Sequence, residues 1–284
     1  MSRWYAYEEL HGTDHSVSGC VLAWPEVEGG TGIPGREILV YLPPSLAALG
    51  PEGMAHAKRR YPTLYFHDGQ NVFDERTSFV GEWHADETLE LLAREGHEAI
   101  AVAVPNTREA RMAEYNPWRG LDGRAGRRRW VGGQGDAYLD WLVGSVKPLI
   151  DGSFPTAGER SATGIIGSSM GGLISMYALL SHADVFGLAG VMSPSIGWSD
   201  YRLLRLIRER GLRRARIHLD MGGREWRGML RDARRLRDAL VEAGLVEGRD
   251  LRYVEERYAT HREEAWARRL PDALRFLLAE ARAG

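Results

Sequence analysis

The chain has 284 residues, of which 44% are hydrophobic and 27% charged, which excludes a disordered or collagen-like polymer and leaves enough chain for a large core without covalent staples. Acidic and basic residues almost cancel, at a formal charge of −2, so there is no global field to attract nucleic acid or an anionic membrane. Cys20 is the sole cysteine, which excludes an internal disulfide and a cysteine-based zinc or iron–sulfur centre. The apolar runs fall far short of the roughly 20 residues of a spanning helix. The start, Met1-Ser2-Arg3-Trp4-Tyr5, lacks the apolar core of a signal peptide. A cytoplasmic protein without membrane or nucleic-acid partners is expected. With no internal repeat and no low-complexity linker, residues 1–284 read as one domain.

In chain order, residues 18–27 and 37–42 read as N-terminal antiparallel strands around the turn Gly29-Gly30-Thr31-Gly32, and the second stops at Pro43-Pro44. Short apolar runs then alternate with helical periods. The strand-like runs are 63–66, 99–104, 163–166, 188–192, 216–219 and 251–254. Helices are expected at 82–94, 137–150, 170–180, 202–210, 228–241 and 263–282. Met229, Ala233, Leu236 and Leu240 fall on one face of a 3.6-residue period, as do Tyr138, Leu142, Val146 and Leu149. Strands apolar throughout are those of a sheet covered on both faces. The pattern predicts an α/β fold with a mostly parallel central sheet flanked by helices, whose functional residues gather beyond the strand C-termini.

The strongest motif is Gly167-Ser168-Ser169-Met170-Gly171-Gly172, between a strand-like and a helix-like segment. A G-x-S-x-G at such a junction is the nucleophile elbow, where the tight turn requires small residues two before and two after the serine. Ser169 is therefore the candidate nucleophile, and the Met170 amide is a candidate oxyanion donor. A serine hydroxyl needs a base, which in this arrangement lies downstream. Of the histidines after Ser169, His182 ends the elbow helix and His218 sits inside a strand-like run. His261, between the last strand and the last helix, is the candidate base. The acid falls in Asp220-Met221-Gly222-Gly223-Arg224-Glu225-Trp226; Glu225, farther out in the loop, is favoured over Asp220. A second oxyanion donor is expected from the loop after strand 63–66, as the amide of Gly69 or Gln70. The neighbouring His67-Asp68 pair lacks an evident third metal ligand. No metal or organic cofactor is required.

The segments Tyr65-Phe66-His67-Asp68-Gly69-Gln70-Asn71-Val72-Phe73-Asp74, Gly167 to Gly172, Ser193-Pro194-Ser195 and His261 to Trp266 together resemble the "putative esterase" family of α/β-hydrolases. That group contains esterase D, enterochelin (siderophore) esterases, feruloyl and acetylxylan esterases and the mycolyltransferases. The resemblance runs from about Glu37 to the C-terminal helix. It implies an α/β-hydrolase fold and a serine esterase with Ser169 as nucleophile and His261 as base. It also supports an acid in the loop after Asp220.

For the substrate, a small-molecule ester, three alternatives stay open: sugar-linked, aromatic-acid or siderophore-type. Trp83, Trp118, Trp130, Trp198 and Trp226 fall in expected active-edge loops, where indoles either stack on a ligand or cover the sheet edge. Trp198 and Trp118 are the substrate-binding candidates. Between 119 and 129, Arg119, Arg124, Arg127, Arg128 and Arg129 face Asp122 alone, a pattern suited to an anionic substrate group or a solvated loop. Arg119 is the candidate contact, and the loop is a candidate partial lid. Acyl transfer to an alcohol and a non-catalytic binding protein of the same fold are the alternative functions.

Overall fold

The computed structural model describes residues 3–122, 129–198 and 200–279. Its strands are β1 (Tyr5–Ala6), β2 (Cys20–Val27), β3 (Arg36–Leu42), β4 (Thr63–His67), β5 (Ile100–Val104), β6 (Gly120–Asp122), β7 (Arg129–Val131), β8 (Thr163–Ser168), β9 (Leu188–Met192), β10 (Arg216–Gly222) and β11 (Leu251–Glu256). Its helices are α1 (Tyr7–His11), α2 (Pro44–Ala47), α3 (Gly50–Ala55), α4 (Ala85–Arg94), α5 (Arg111–Glu114), α6 (Gly135–Trp141), α7 (Lys147–Ser153), α8 (Met170–Ser181), α9 (Arg202–Arg210), α10 (Met229–Glu242) and α11 (Glu263–Leu278). A nine-stranded sheet has the order β1-β2-β3-β5-β4-β8-β9-β10-β11. From β5 through β11 every neighbouring pair is parallel, whereas β1, β2 and β3 join antiparallel.

Successive strand residues point to opposite faces, and both faces are covered. In β4, Leu64 and Phe66 pack with Leu89 and Leu92 of α4 and with Leu270, Leu274 and Leu277 of α11. Tyr65 points the other way, into a core with Leu139 of α6, Leu173 and Ile174 of α8 and Leu236 and Leu240 of α10. That double burial is why the strands read as continuous apolar runs. Among the described residues no helix is long and apolar enough to cross a membrane.

Several boundaries differ from expectation for local reasons. The register of β2 shifts between Trp24 and Val27, where Pro25 has no amide hydrogen to donate. Helix α4 starts at Ala85 rather than residue 82, because His84 at its N-cap is left-handed (φ 51°). The helix expected over 137–150 widens into a π-helical turn at Leu142–Val146, just before Pro148 interrupts the amide ladder. The expected lid at 119–129 is a hairpin at its ends, with Leu121 opposite Trp130. Arg124, Arg127 and Arg128 lie outside the described residues, as do residues 280–282 of the expected last helix.

Candidate active site

Ser169 occupies the turn between β8 and α8 with φ 57° and ψ −116°, a strained conformation for a side chain with a Cβ. The turn closes so tightly that a Cβ on Gly167 would lie 2.7 Å from the Gly171 backbone, so nothing larger than glycine fits there. Two backbone bonds hold Ser169: its amide donates to the Met192 carbonyl (3.0 Å), and its carbonyl accepts from the Ser195 amide (2.9 Å). The two hydroxyls of Ser169 and Ser195 lie 3.1 Å apart. Met170 begins α8, and the first amides of a helix have no partner within the helix, so the positive end of the dipole lies beside Ser169.

His261 stands on the loop between β11 and α11. Its Nδ1 lies 2.7 Å from Glu225 Oε2, while its Nε2 bonds to no other described protein group. Trp226 lies against one face of the ring (4.4 Å, 31°) and Trp266 meets it edge-on (5.0 Å, 86°). The Glu225 side chain is only 1% exposed. The structure separates the two acid candidates. Asp220 lies within β10, which runs on to Gly222, and it is fully buried. Its carboxylate contacts the Ser193 amide (3.1 Å), Arg269 Nη2 (3.1 Å) and His218 Nε2 (3.3 Å) rather than His261.

The loop after β4 is pinned from below and from the side. Asp68 is left-handed (φ 55°), and its amide donates to Tyr115 Oη (2.9 Å). Its carboxylate takes two bonds from Arg111, each 2.7 Å, and one from Asn106 Nδ2 (2.6 Å). Burial disfavours the Asp68 charge, but Arg111 and these bonds outweigh it and hold the carboxyl below its ordinary range. His67 Nδ1 lies 2.9 Å from Tyr138 Oη, and burial pushes its pKa down to about 3. A Cβ on Gly69 would meet the β5 backbone at Val104 N at 2.5 Å, so this glycine packs against the sheet. Gln70, whose Oε1 accepts from the Asn106 amide (3.0 Å), faces the cavity.

That cavity, of about 1280 Å³, brings together Ser169, Met170, Gln70, His261 and Trp198. Trp226 is at its edge, as are exposed Phe79 and Val80 and the arginines Arg76, Arg108 and Arg262. Burial raises the carboxyl of Glu263, another wall residue, with the Asp68 charge adding to the effect. Trp118 and Arg119 do not line this cavity: Trp118 packs edge-on against Tyr177 (5.3 Å), and Arg119 lines a neighbouring cleft of about 410 Å³ with Arg202 and Arg205. Trp83 is core, 6.1 Å from Trp266, and Trp130 is exposed on β7. His182 pairs with Asp140 at the end of α8. Elsewhere, Glu82, His84 and Glu87 bring ligand-type atoms within 4.8 Å of one another, with His84 Nδ1 3.4 Å from Glu82 Oε2 and 3.6 Å from Glu87 Oε1.

Sequence reasoning missed Ser195, Phe79, Arg76, Arg108 and Arg262. The motif Ser193-Pro194-Ser195 was a signal for the first; Arg76 and Phe79 share one loop, and Arg108 and Arg262 stand on two others far apart in sequence, with no shared pattern.

Residues 35–277 match the profile of the family described as "Putative esterase". The chain belongs to that family. It is a carboxylic ester hydrolase with the α/β architecture of the family's esterases. Among relatives, YbbA of Bacillus subtilis strain 168, described as uncharacterised, is 27% identical over 254 residues, covering 87% of this chain and 94% of that one. Among solved structures, the siderophore hydrolase EstA from Aspergillus nidulans is similar at TM-score 0.67 and 20% identity, over 91% of this esterase and 94% of its own chain. An IroE-like serine hydrolase from Shewanella oneidensis is similar at TM-score 0.66 and 22% identity, over 90% and 79% of the two chains.

Proposed function

We propose that this esterase works through an acyl-enzyme on Ser169, with His261 as general base and Glu225 orienting the imidazole. The carrying observation is that the strained Ser169 and the His261–Glu225 pair converge on one cavity. Glu225 accepts from Nδ1–H, which leaves Nε2 to take the Ser169 proton as Oγ bonds to the ester carbonyl carbon. The carbonyl oxygen becomes the oxyanion, bound by the amides of Met170 and Gln70; Gly69, pressed against β5, is the weaker candidate of the two proposed for that loop. Collapse expels the alkoxide, which takes the proton from Nε2. Water, deprotonated in turn by His261, then releases the acid and restores Ser169.

Of the three ester types, the siderophore type fits best. The cavity is large, Trp226 and Phe79 offer exposed rings, and Arg108 and Arg262 form no ion pair among the described residues. Such an edge suits a bulky ligand rich in anionic oxygens. EstA, named a siderophore hydrolase, supports the same reading. Trp198, on the cavity wall, is the aromatic contact expected for the substrate.

The test is hydrolysis of a panel of p-nitrophenyl acyl esters by the native chain and by Ser169→Ala. Phosphonate-sensitive turnover that disappears in the variant, with its thermal transition unchanged, is expected. Full activity in Ser169→Ala would overturn the mechanism. Excess alcohol distinguishes transfer, which forms a new ester, from hydrolysis, which yields only free acid.

A further inference from the structure

Behind the His261–Glu225 pair lies a buried polar group that the mechanism above does not use. Ser193 follows β9, is fully buried and is left-handed (φ 43°), a conformation in which glycine is relaxed and serine strained. Its amide is held by Asp220, through the carbonyl at 3.0 Å and Oδ1 at 3.1 Å. Its hydroxyl has three partners. Trp266 Nε1 and Arg269 Nη2 each lie 3.0 Å from Oγ, and Glu225 Oε1 lies 2.5 Å away.

The chemistry of these groups fixes the direction of every bond. Indole N–H and guanidinium N–H only donate, so they occupy the two lone pairs of the hydroxyl. Its one hydrogen is left for Glu225. Glu225 Oε1 also accepts from the Gly222 amide at 2.8 Å, with Arg269 Nη2 4.0 Å away. Oε1 is thereby saturated with donors, and among the described residues Oε2 meets His261 alone. A carboxylate on a long, rotatable side chain is held in one orientation without touching the solvent.

We propose that Ser193 is a positioning residue for ester hydrolysis, relaying the donors Trp266 and Arg269 through its hydroxyl so that Glu225 offers Oε2 to His261. This rests on the reading of Ser169, His261 and Glu225 given above. It explains why a strained position carries serine: glycine would relieve the backbone but supply no donor.

The test is a double-mutant cycle of Ser193→Ala with Glu225→Gln, measured with one p-nitrophenyl ester well below the thermal transition of each variant. Ser193→Ala is expected to lower kcat by roughly 10–100-fold with KM within about twofold. On the Glu225→Gln background the same change is expected to alter kcat by less than about twofold, because its route to the imidazole is already broken. Ser193→Gly, with the backbone strain removed, is expected to show the same kcat loss and so guards against an unfolded alanine variant. An equal loss on both backgrounds, or an unchanged kcat in Ser193→Gly, overturns the inference. If Glu225→Gln alone is fully active, it is the triad reading that fails.

Discussion

At the residue scale, the two-residue period of a strand sets the two acid candidates apart. In β10, Leu219 and Met221 are fully buried, and His218 and Asp220 alternate with them on the face covered by Arg269 of α11. Asp220 is therefore committed to a buried ion pair, and Glu225, beyond the strand, reaches His261. Glu225→Gln keeps the size of the side chain but removes the charge that steadies a protonated imidazole. We expect a kcat loss of roughly 10²–10⁴-fold with little change in thermal stability. Asp220→Asn should instead cost about 1–3 kcal/mol of stability and less than about tenfold in kcat, because Arg269 loses a charged partner while His261 keeps its own. Paired kinetics and thermal melts of the two variants check this; the reverse ordering in kcat would transfer the role to Asp220. In the sequence, the apolar run stops at Leu219, so Asp220 reads as a strand-end residue and Glu225 as one farther out in the loop; the structure carries the strand on to Gly222 and buries Asp220 within it.

At the scale of elements, β4 carries a titrating group into the core. His67 is fully buried against Tyr115 and Tyr138, with Asp68 and Arg111 as the nearby charges. Burial lowers its pKa to about 3, against about 6.5 in an unfolded chain. Between those values the unfolded state binds the extra proton, so this contribution is complete above pH 6.5 and is lost as pH falls toward 3. By pH 5 the loss amounts to about 2 kcal/mol. His67→Asn, which retains a polar atom toward Tyr138 Oη, should be less stable than the native chain at pH 7. Its stability should fall less steeply between pH 6.5 and pH 4 in denaturant titrations. Equal slopes for the two proteins would show that other groups govern acid unfolding. The parallel strands were legible because each spends its length between two apolar layers, and helices such as α4, α9 and α10 because one face of each is buried while the other is exposed. Strand β1, helix α1 and the β6–β7 hairpin were not, since segments of two to five residues hold their shape through contacts with distant parts of the chain rather than through a pattern of their own.

On the scale of the whole molecule, near-neutral net charge conceals a local imbalance. Arg76, Arg108 and Arg262 come from three loops separated by long stretches of chain, and only the common direction of β4, β5 and β11 delivers them to one cavity edge. Sequence density pointed instead to residues 119–129, of which Arg119 lines the adjoining cleft. Arg111 is neutralised by Asp68, and Arg76 has Asp14 at 3.4 Å, whereas Arg108 and Arg262 have no ion-pair partner among the described residues. Each exposed charge of this kind contributes about 0.5–1 kcal/mol, so the double variant Arg108→Gln/Arg262→Gln should raise KM for an anionic aryl ester by roughly 5–30-fold. KM for a neutral ester of the same size should stay within about twofold. Raising the salt from 50 to 500 mM should weaken binding of the anionic ester to the native chain and have little effect on the double variant, since screening acts on exposed charges. Equal KM changes for both esters would mean that the two arginines shape the cavity edge rather than read charge, and would favour a neutral, sugar-linked ester over an anionic one.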